Sequence, residues 1–220
     1  MEQIISMLNR PVEVELSGHK MQLRGHFVDI GNDVLVLFSK SRYYYIPIHH
    51  LQHLRLADEW DTPVSDEPAP LKEHTHISYR KMLMNSRGTF SEMYLGGQHA
   101  LHGYVTSIMN DYFVYFSPLY RTVYIPIHHV KYLVPYPPNV TPYTLSQEHF
   151  PIQPAVVSLS RTWDQQLHKL QGQLVIFDLG GHPQKTGLLQ SIDNNLIELI
   201  QADGRSNFVH ADHIKCVHLP

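Results

Sequence analysis

Ile46-Pro47-Ile48-His49-His50 comes back as Ile125-Pro126-Ile127-His128-His129, 79 residues on, and a divergent third copy, Val209-His210-Ala211-Asp212-His213, stands 84 residues further. Each copy leads into an alternating apolar tail: Leu51-Gln52-His53-Leu54, Val130-Lys131-Tyr132-Leu133, Ile214-Lys215-Cys216-Val217. Self-similarity at a near-constant period marks a repeated supersecondary unit. The 220 residues therefore read as three units of about 50–60 residues each, near the lower size limit for independent folding, in place of one large domain.

Working outward from the first copy, Ile4, Ile5 and Leu8 make a short helical face that Pro11 ends. Val12, Val14 and Leu16 then alternate with Glu13 and Glu15, the period of a strand with one buried face. Further strands are expected over 21–30, 34–39, 42–47 and 51–56, with a hairpin at Gly31-Asn32-Asp33. The same order recurs twice. Tyr79, Met82 and Leu83 precede strands from Phe90 onward, with a hairpin at Asn110-Asp111; Leu159, Trp163, Leu167 and Leu170 precede strands from Gln173 onward, with hairpins at Asp193-Asn194-Asn195 and Asp203-Gly204. One helix and five short antiparallel strands describe a small Sm-like or SH3-like barrel. The fold class expected is mainly β: three tandem barrels, each with a short N-terminal helix.

Gly25, Gly103 and Gly187 occupy one position of the frame, inside the second strand of each unit. There a glycine permits a sharp bend or a close backbone approach, so these residues read as architecture. His50, His129 and His213 are the second members of the repeated pairs and stay imidazole, whereas the first members vary as His49, His128 and Asp212. The invariant member is expected to be the more buried of each pair and to hold a turn through a local backbone partner. Between units the texture changes. Residues 58–74 are acidic with three prolines, and residues 137–156 are proline-rich. These read as linkers that separate repeats over 1–57, 75–136 and 157–220.

A formal charge of −3 argues against bulk electrostatic binding of a phosphate backbone. The single cysteine, Cys216, excludes an internal disulfide and a cysteine-based zinc site. No stretch nears the ~20 apolar residues that span a bilayer, and the first residues lack the pattern of a secretion signal. Seventeen histidines would add seventeen positive charges if all were protonated. Association and solubility are therefore expected to respond to acidification between pH 7.5 and 5.5.

Gly180-Gly181-His182-Pro183-Gln184-Lys185-Thr186-Gly187, followed by Asp193-Asn194 and a closing His213-Ile214-Lys215, resembles the spore coat proteins of endospore-forming bacilli related to coat protein B. Ile48-His49-His50-Leu51 and Ile127-His128-His129-Val130 carry that family's closing signature in the first two units, and His182 is an insertion in its glycine turn. The resemblance implies a structural protein made in the mother-cell cytoplasm and assembled onto the spore coat. Its implied partners are other coat proteins and further copies of itself, with no membrane and no cofactor. The serine- and lysine-rich tail of the family's best-known type is not matched in these 220 residues, which end on His218-Leu219-Pro220.

The runner-up is an Sm-like RNA-binding protein. Its RNA-contacting positions fall on Gly31 and Leu35, Met109 and Phe113, and Asp193 and Ile197, of which Asp193 alone keeps the required residue type. Paired His49-His50 and His128-His129 could ligate a metal, but adjacent residues of an extended chain point to opposite sides. No nucleophile elbow, phosphate loop or zinc-protease helix is present, and Cys216 reads as a buried thiol, so no enzyme is expected. Tyr43, Tyr45, Tyr120 and Tyr124 are the candidate interaction surface, since period-2 geometry turns half of each tyrosine run outward.

Overall fold

Alternation of Val12, Val14 and Leu16 with charged residues produces the first of five strands joined by short connections: β1 (Pro11–Leu16), β2 (Leu23–Ile30), β3 (Val34–Ser39), β4 (Arg42–Pro47) and β5 (Leu51–Leu56). They follow the short helix α1 (Glu2–Ile5). The structure is a computed structural model that describes residues 2–18, 22–57, 77–97, 99–146, 148, 150 and 158–220. Helix α2 (Tyr79–Asn85) precedes β6 (Phe90–Tyr94), β7 (Leu101–Ile108), β8 (Tyr112–Ser117), β9 (Arg121–Pro126) and β10 (Tyr132–Pro135). Helix α3 (Trp163–Lys169) precedes β11 (Leu174–Phe177), β12 (Thr186–Asp193), β13 (Leu196–Ile200), β14 (Ser206–His210) and β15 (Val217–His218). The protein is mainly β with few helices, and its sheets are antiparallel.

The chain forms two compact units. The first holds residues 1–86, 91–100 and 131–138; the second holds 87–90, 101–130 and 139–220. In the first, the sheet order is β6-β10-β4-β3-β2-β1-β5; in the second it is β14-β13-β12-β11-β15-β9-β8-β7. The fifth strand of a sequence repeat returns to pair with the first: β5 on β1, β10 on β6 and β15 on β11. The third strands of the first two repeats are apolar up to a closing serine and buried on both faces, with Val34, Leu35, Val36 and Leu37 in β3 and every residue of β8 buried. Val12, Val14, Phe27, Leu35 and Ile46 centre the core of the first unit; Trp163, Leu167, Val175, Phe177, Leu189 and Ile197 centre that of the second.

A Cβ added to Gly25, Gly103 or Gly187 would come closer than 3.0 Å to the carbonyl oxygen of Phe38, Phe116 or Ile200 respectively. The backbone of the facing strand fills the space, as expected for a bend. Three residues beyond each glycine the ladder slips by one: between Phe27 and Asp29, between Val105 and Ser107, and between Leu189 and Ser191. Each slip is a β-bulge, and a bulge strengthens the local twist and bends its strand. Composition carries no sign of an extra unpaired residue, so the bulges were not anticipated.

The turn expectations hold in place and differ in kind. Asn194 and Asn195, both with positive φ, form the two-residue turn between β12 and β13. Asp203-Gly204, read as a clean two-residue turn, instead sits in a longer loop, because Gln201 N–H donates to Arg205 O and closes three residues between them. The expected linker 58–74 lies outside the described residues. Within 137–156, Phe150 is buried against Tyr104 and Phe116 of the second unit, so that part of the segment runs along the unit's surface.

Candidate interaction surface

A recurring set of polar contacts between distant segments stands where one sequence repeat meets the next. Asp33, at the β2–β3 hairpin, accepts a hydrogen bond through Oδ1 from the backbone N–H of Tyr79 at 2.6 Å. Asp111, at the β7–β8 hairpin, accepts one from Trp163 N–H at 2.7 Å. Both donors are first residues of helices, where backbone N–H groups have no partner within the helix. Ser78 and Thr162 cap the same two helices by accepting from Lys81 N–H and Gln165 N–H. The backbone repeats the match: Asn32 N–H donates to Ile77 O and Asn110 N–H to Arg161 O. Tyr79 and Trp163 are buried as the anchors of these contacts. Tyr112 adds a hydroxyl that donates to Ser160 O at 2.7 Å and lies 3.0 Å from Gln166 Oε1. Burial and the nearby Tyr124 push the Tyr112 phenol up to about 12.

Strand edges meet with the same regularity. β10 lies on β4 with Leu133 opposite Tyr45, and β15 lies on β9 with Val217 opposite Tyr124. These pairs occupy equivalent repeat positions, so the fifth strand of a repeat covers the fourth strand of the one before it in one register. At the first junction Arg42 donates to Glu92 at 2.5 Å, and Tyr132 stacks on Tyr94 and meets Tyr44 edge-on. Burial raises the Tyr132 phenol well above the usual tyrosine value, with the Glu92 carboxylate adding to it. Lys131 Nζ lies 2.9 Å from Ser17 Oγ and 3.0 Å from His50 Nδ1, so the residue after the second Ile-His-His-Val reaches back to the first histidine pair.

The histidines divide as follows. His50, His129 and His213 each close a 3₁₀ turn between the fourth and fifth strands, over Ile48–His50, Ile127–His129 and Ala211–His213. His50 is buried and His49 exposed; His129 is half-buried and His128 exposed. His213 breaks the pattern, because it is as exposed as Asp212. The His50 ring meets the side chains of Ser17 and Lys131 through Nδ1. Ser17 N–H donates to the His50 carbonyl. Among the described residues no group of three or more His, Cys, Asp or Glu is placed to hold a metal ion.

Tyr43, Tyr45 and Tyr120 are half-buried. Tyr124 is 1% exposed under β15, so it offers no open surface and belongs to a junction. Of the positions weighed for RNA contact, Leu35, Phe113 and Ile197 are fully buried. Cys216 is buried with its backbone N–H on Asp178 Oδ1, and burial pushes its thiol far above the usual range. The contacts of Asp33, Asp111 and Lys131 were not anticipated. The repeated Asn-Asp of the hairpins and the pairs Ser78-Tyr79 and Thr162-Trp163 carry the signal, which shows only across repeats and not within one.

Residues 162–217, from just before α3 to β15, match a protein family described as the YwrJ third domain. The whole chain is 39% identical over 226 aligned positions to an uncharacterized protein, YwrJ, of Bacillus subtilis (strain 168), with both chains covered completely. Identity of that extent over the full length of both sequences places this chain in the YwrJ family.

Proposed function

We propose that this protein is a non-enzymatic structural protein of the bacterial endospore coat, related to coat protein B and acting through protein–protein contacts. The observation that carries the reading is the repeated junction. Twice within one chain a strand edge and a hairpin receive the next repeat through the same register and the same aspartate, which is the chemistry of an assembly module. Burial of Leu35, Phe113 and Ile197 weighs against the Sm-like RNA alternative, since three of the six positions it would use lie in the core. The relative in Bacillus subtilis comes from the bacilli that the coat resemblance implies.

We infer in addition that each repeat is a small Sm-like or SH3-like barrel. The fifth strand returns to the first in every repeat, and a glycine followed by a bulge bends the second strand at one shared position. Both devices close short sheets on themselves.

Fractionation of a sporulating culture, with antibody against this chain, tests the function. Recovery in the extracted coat is the expected result. Recovery in the cytoplasmic fraction with bound RNA would reverse the reading in favour of the RNA-binding alternative.

A further inference from the structure

We propose that copies of this protein join head to tail, with β5 of one copy adding to the open edge of β14 of another. The proposed junction repeats the two that the chain makes with itself. In those, the fifth strand of a repeat lies on the fourth strand of the preceding repeat, with Leu133 opposite Tyr45 and Val217 opposite Tyr124. One step further in the same frame, Phe208 stands where Tyr45 and Tyr124 stand, and Leu54 where Leu133 and Val217 stand. The expected register therefore sets Leu54 of one copy opposite Phe208 of the other.

Exposure supports this placement. Tyr124 is 1% exposed beneath its covering strand, whereas Phe208 is 61% exposed. Among the described residues β14 pairs only with β13, and β5 only with β1. Natural edge strands are usually guarded by lysine, proline or a bulge. Ser206-Asn207-Phe208-Val209-His210 contains neither lysine nor proline, and its ladder with β13 runs without a register shift.

A second, independent observation lies at the hairpin of the third repeat. Val34 and Tyr112 are fully buried where the following repeat's helix begins, but their counterpart Leu196 is 46% exposed. The helix-receiving face of the third repeat is thus open among the described residues. Strand addition supplies backbone hydrogen bonds, and alternate side chains supply register. Because the two faces differ, each junction leaves one free edge at either end, so growth is open-ended unless the rotation closes a ring. The inference names one partner for the assembly role proposed above and rests on that role only for its biological setting.

Sedimentation of the purified full-length chain over a concentration series tests the idea. The expected result is a mass that rises beyond that of a dimer, and loss of that rise in Phe208→Lys, a substitution at an exposed position that leaves the circular dichroism spectrum unchanged. Mixing Phe208→Cys chains with Leu54→Cys chains under oxidising conditions should yield a disulfide-linked heterodimer that neither variant forms alone. A chain that stays monomeric at every soluble concentration would overturn the proposal. So would unimpaired assembly of Phe208→Lys, or Phe208→Cys chains that cross-link to one another. Assembly in solution without recovery from the coat would count against the coat role and leave this junction standing.

Discussion

Asp33 Oδ1 and Tyr79 N–H, 46 residues apart, are joined by a 2.6 Å hydrogen bond. It makes a hairpin of one repeat the cap of a helix that begins the next. Asp111 and Trp163 reproduce the relationship at 2.7 Å. Losing a carboxylate that caps a helix start costs about 0.5–2 kcal/mol. Asp33→Ala and Asp111→Ala should each lower the urea midpoint accordingly, while Asp→Asn at the same sites, which keeps an Oδ1 acceptor, should recover most of the loss. Equal midpoints for Ala and Asn would show that the acceptor is not what matters.

Glycine substitutions should divide by space. Gly103→Ala puts a methyl group into the Phe116 carbonyl, and overpacking of this kind costs about 1–3 kcal/mol or more. Gly181→Ala meets nothing closer than 3.5 Å and has a φ of −60°, so its effect should stay within about 0.5 kcal/mol. Thermal melts of the two variants check the contrast.

Removal of the histidine rings should rank with burial. His50→Ala removes a buried ring and its contact with the Lys131 ammonium, and a hydrogen bond to a charged group is worth about 1.5–3 kcal/mol. His49→Ala should have a far smaller effect, as should His213→Ala, because both rings are exposed. His129→Ala should likewise lower the melting temperature more than His128→Ala. Melts insensitive to added zinc are expected for all five; a metal-dependent shift in any would favour the ligand reading of these rings.

Acid should weaken the second unit through His218. Burial lowers its pKa below the ordinary 6.5, with the Leu219 carbonyl opposing the shift. Its Nδ1 lies 2.9 Å from that carbonyl, the geometry of an Nδ1–H donor, which leaves Nε2 as a buried lone pair that protonation would convert into a donor. The unfolded chain then takes up its proton first as pH falls. Stability attributable to this residue is constant above about pH 6.5 and declines from there down to the folded pKa. Urea midpoints measured from pH 7.5 to 5.5 should show that decline, and His218→Leu should flatten it.

Cys216 should resist alkylation in the native protein. Its side chain is inaccessible and its thiol pKa raised by burial, with Asp178 adding to it, so thiolate is scarce and out of reach. Mass spectrometry after iodoacetamide should show modification only once denaturant unfolds the second unit. Rapid modification in native buffer would place that strand end in a far more open state.

Strand positions were legible from the chain because period-2 alternation and turn residues act locally. Val34–Ser39, Arg42–Pro47, Leu51–Leu56 and Tyr112–Ser117 fall where the pattern puts them, and the glycines at one shared repeat position each face a backbone carbonyl of the neighbouring strand. The recurring Ile-His-His likewise marks a 3₁₀ turn wherever it occurs. Which strand covers which edge was decided by tertiary structure alone. Tyr124 and Phe208 hold the same repeat position in similar sequence, yet one is buried by β15 and the other stands open. His213 is exposed where His50 is buried, and Lys131 of the next repeat reaches the His50 ring. Backbone hydrogen bonds across a sheet join segments far apart in the chain, and their partner is set by what is left uncovered after each repeat has folded. Local periodicity describes a strand's two faces and says nothing of its two edges.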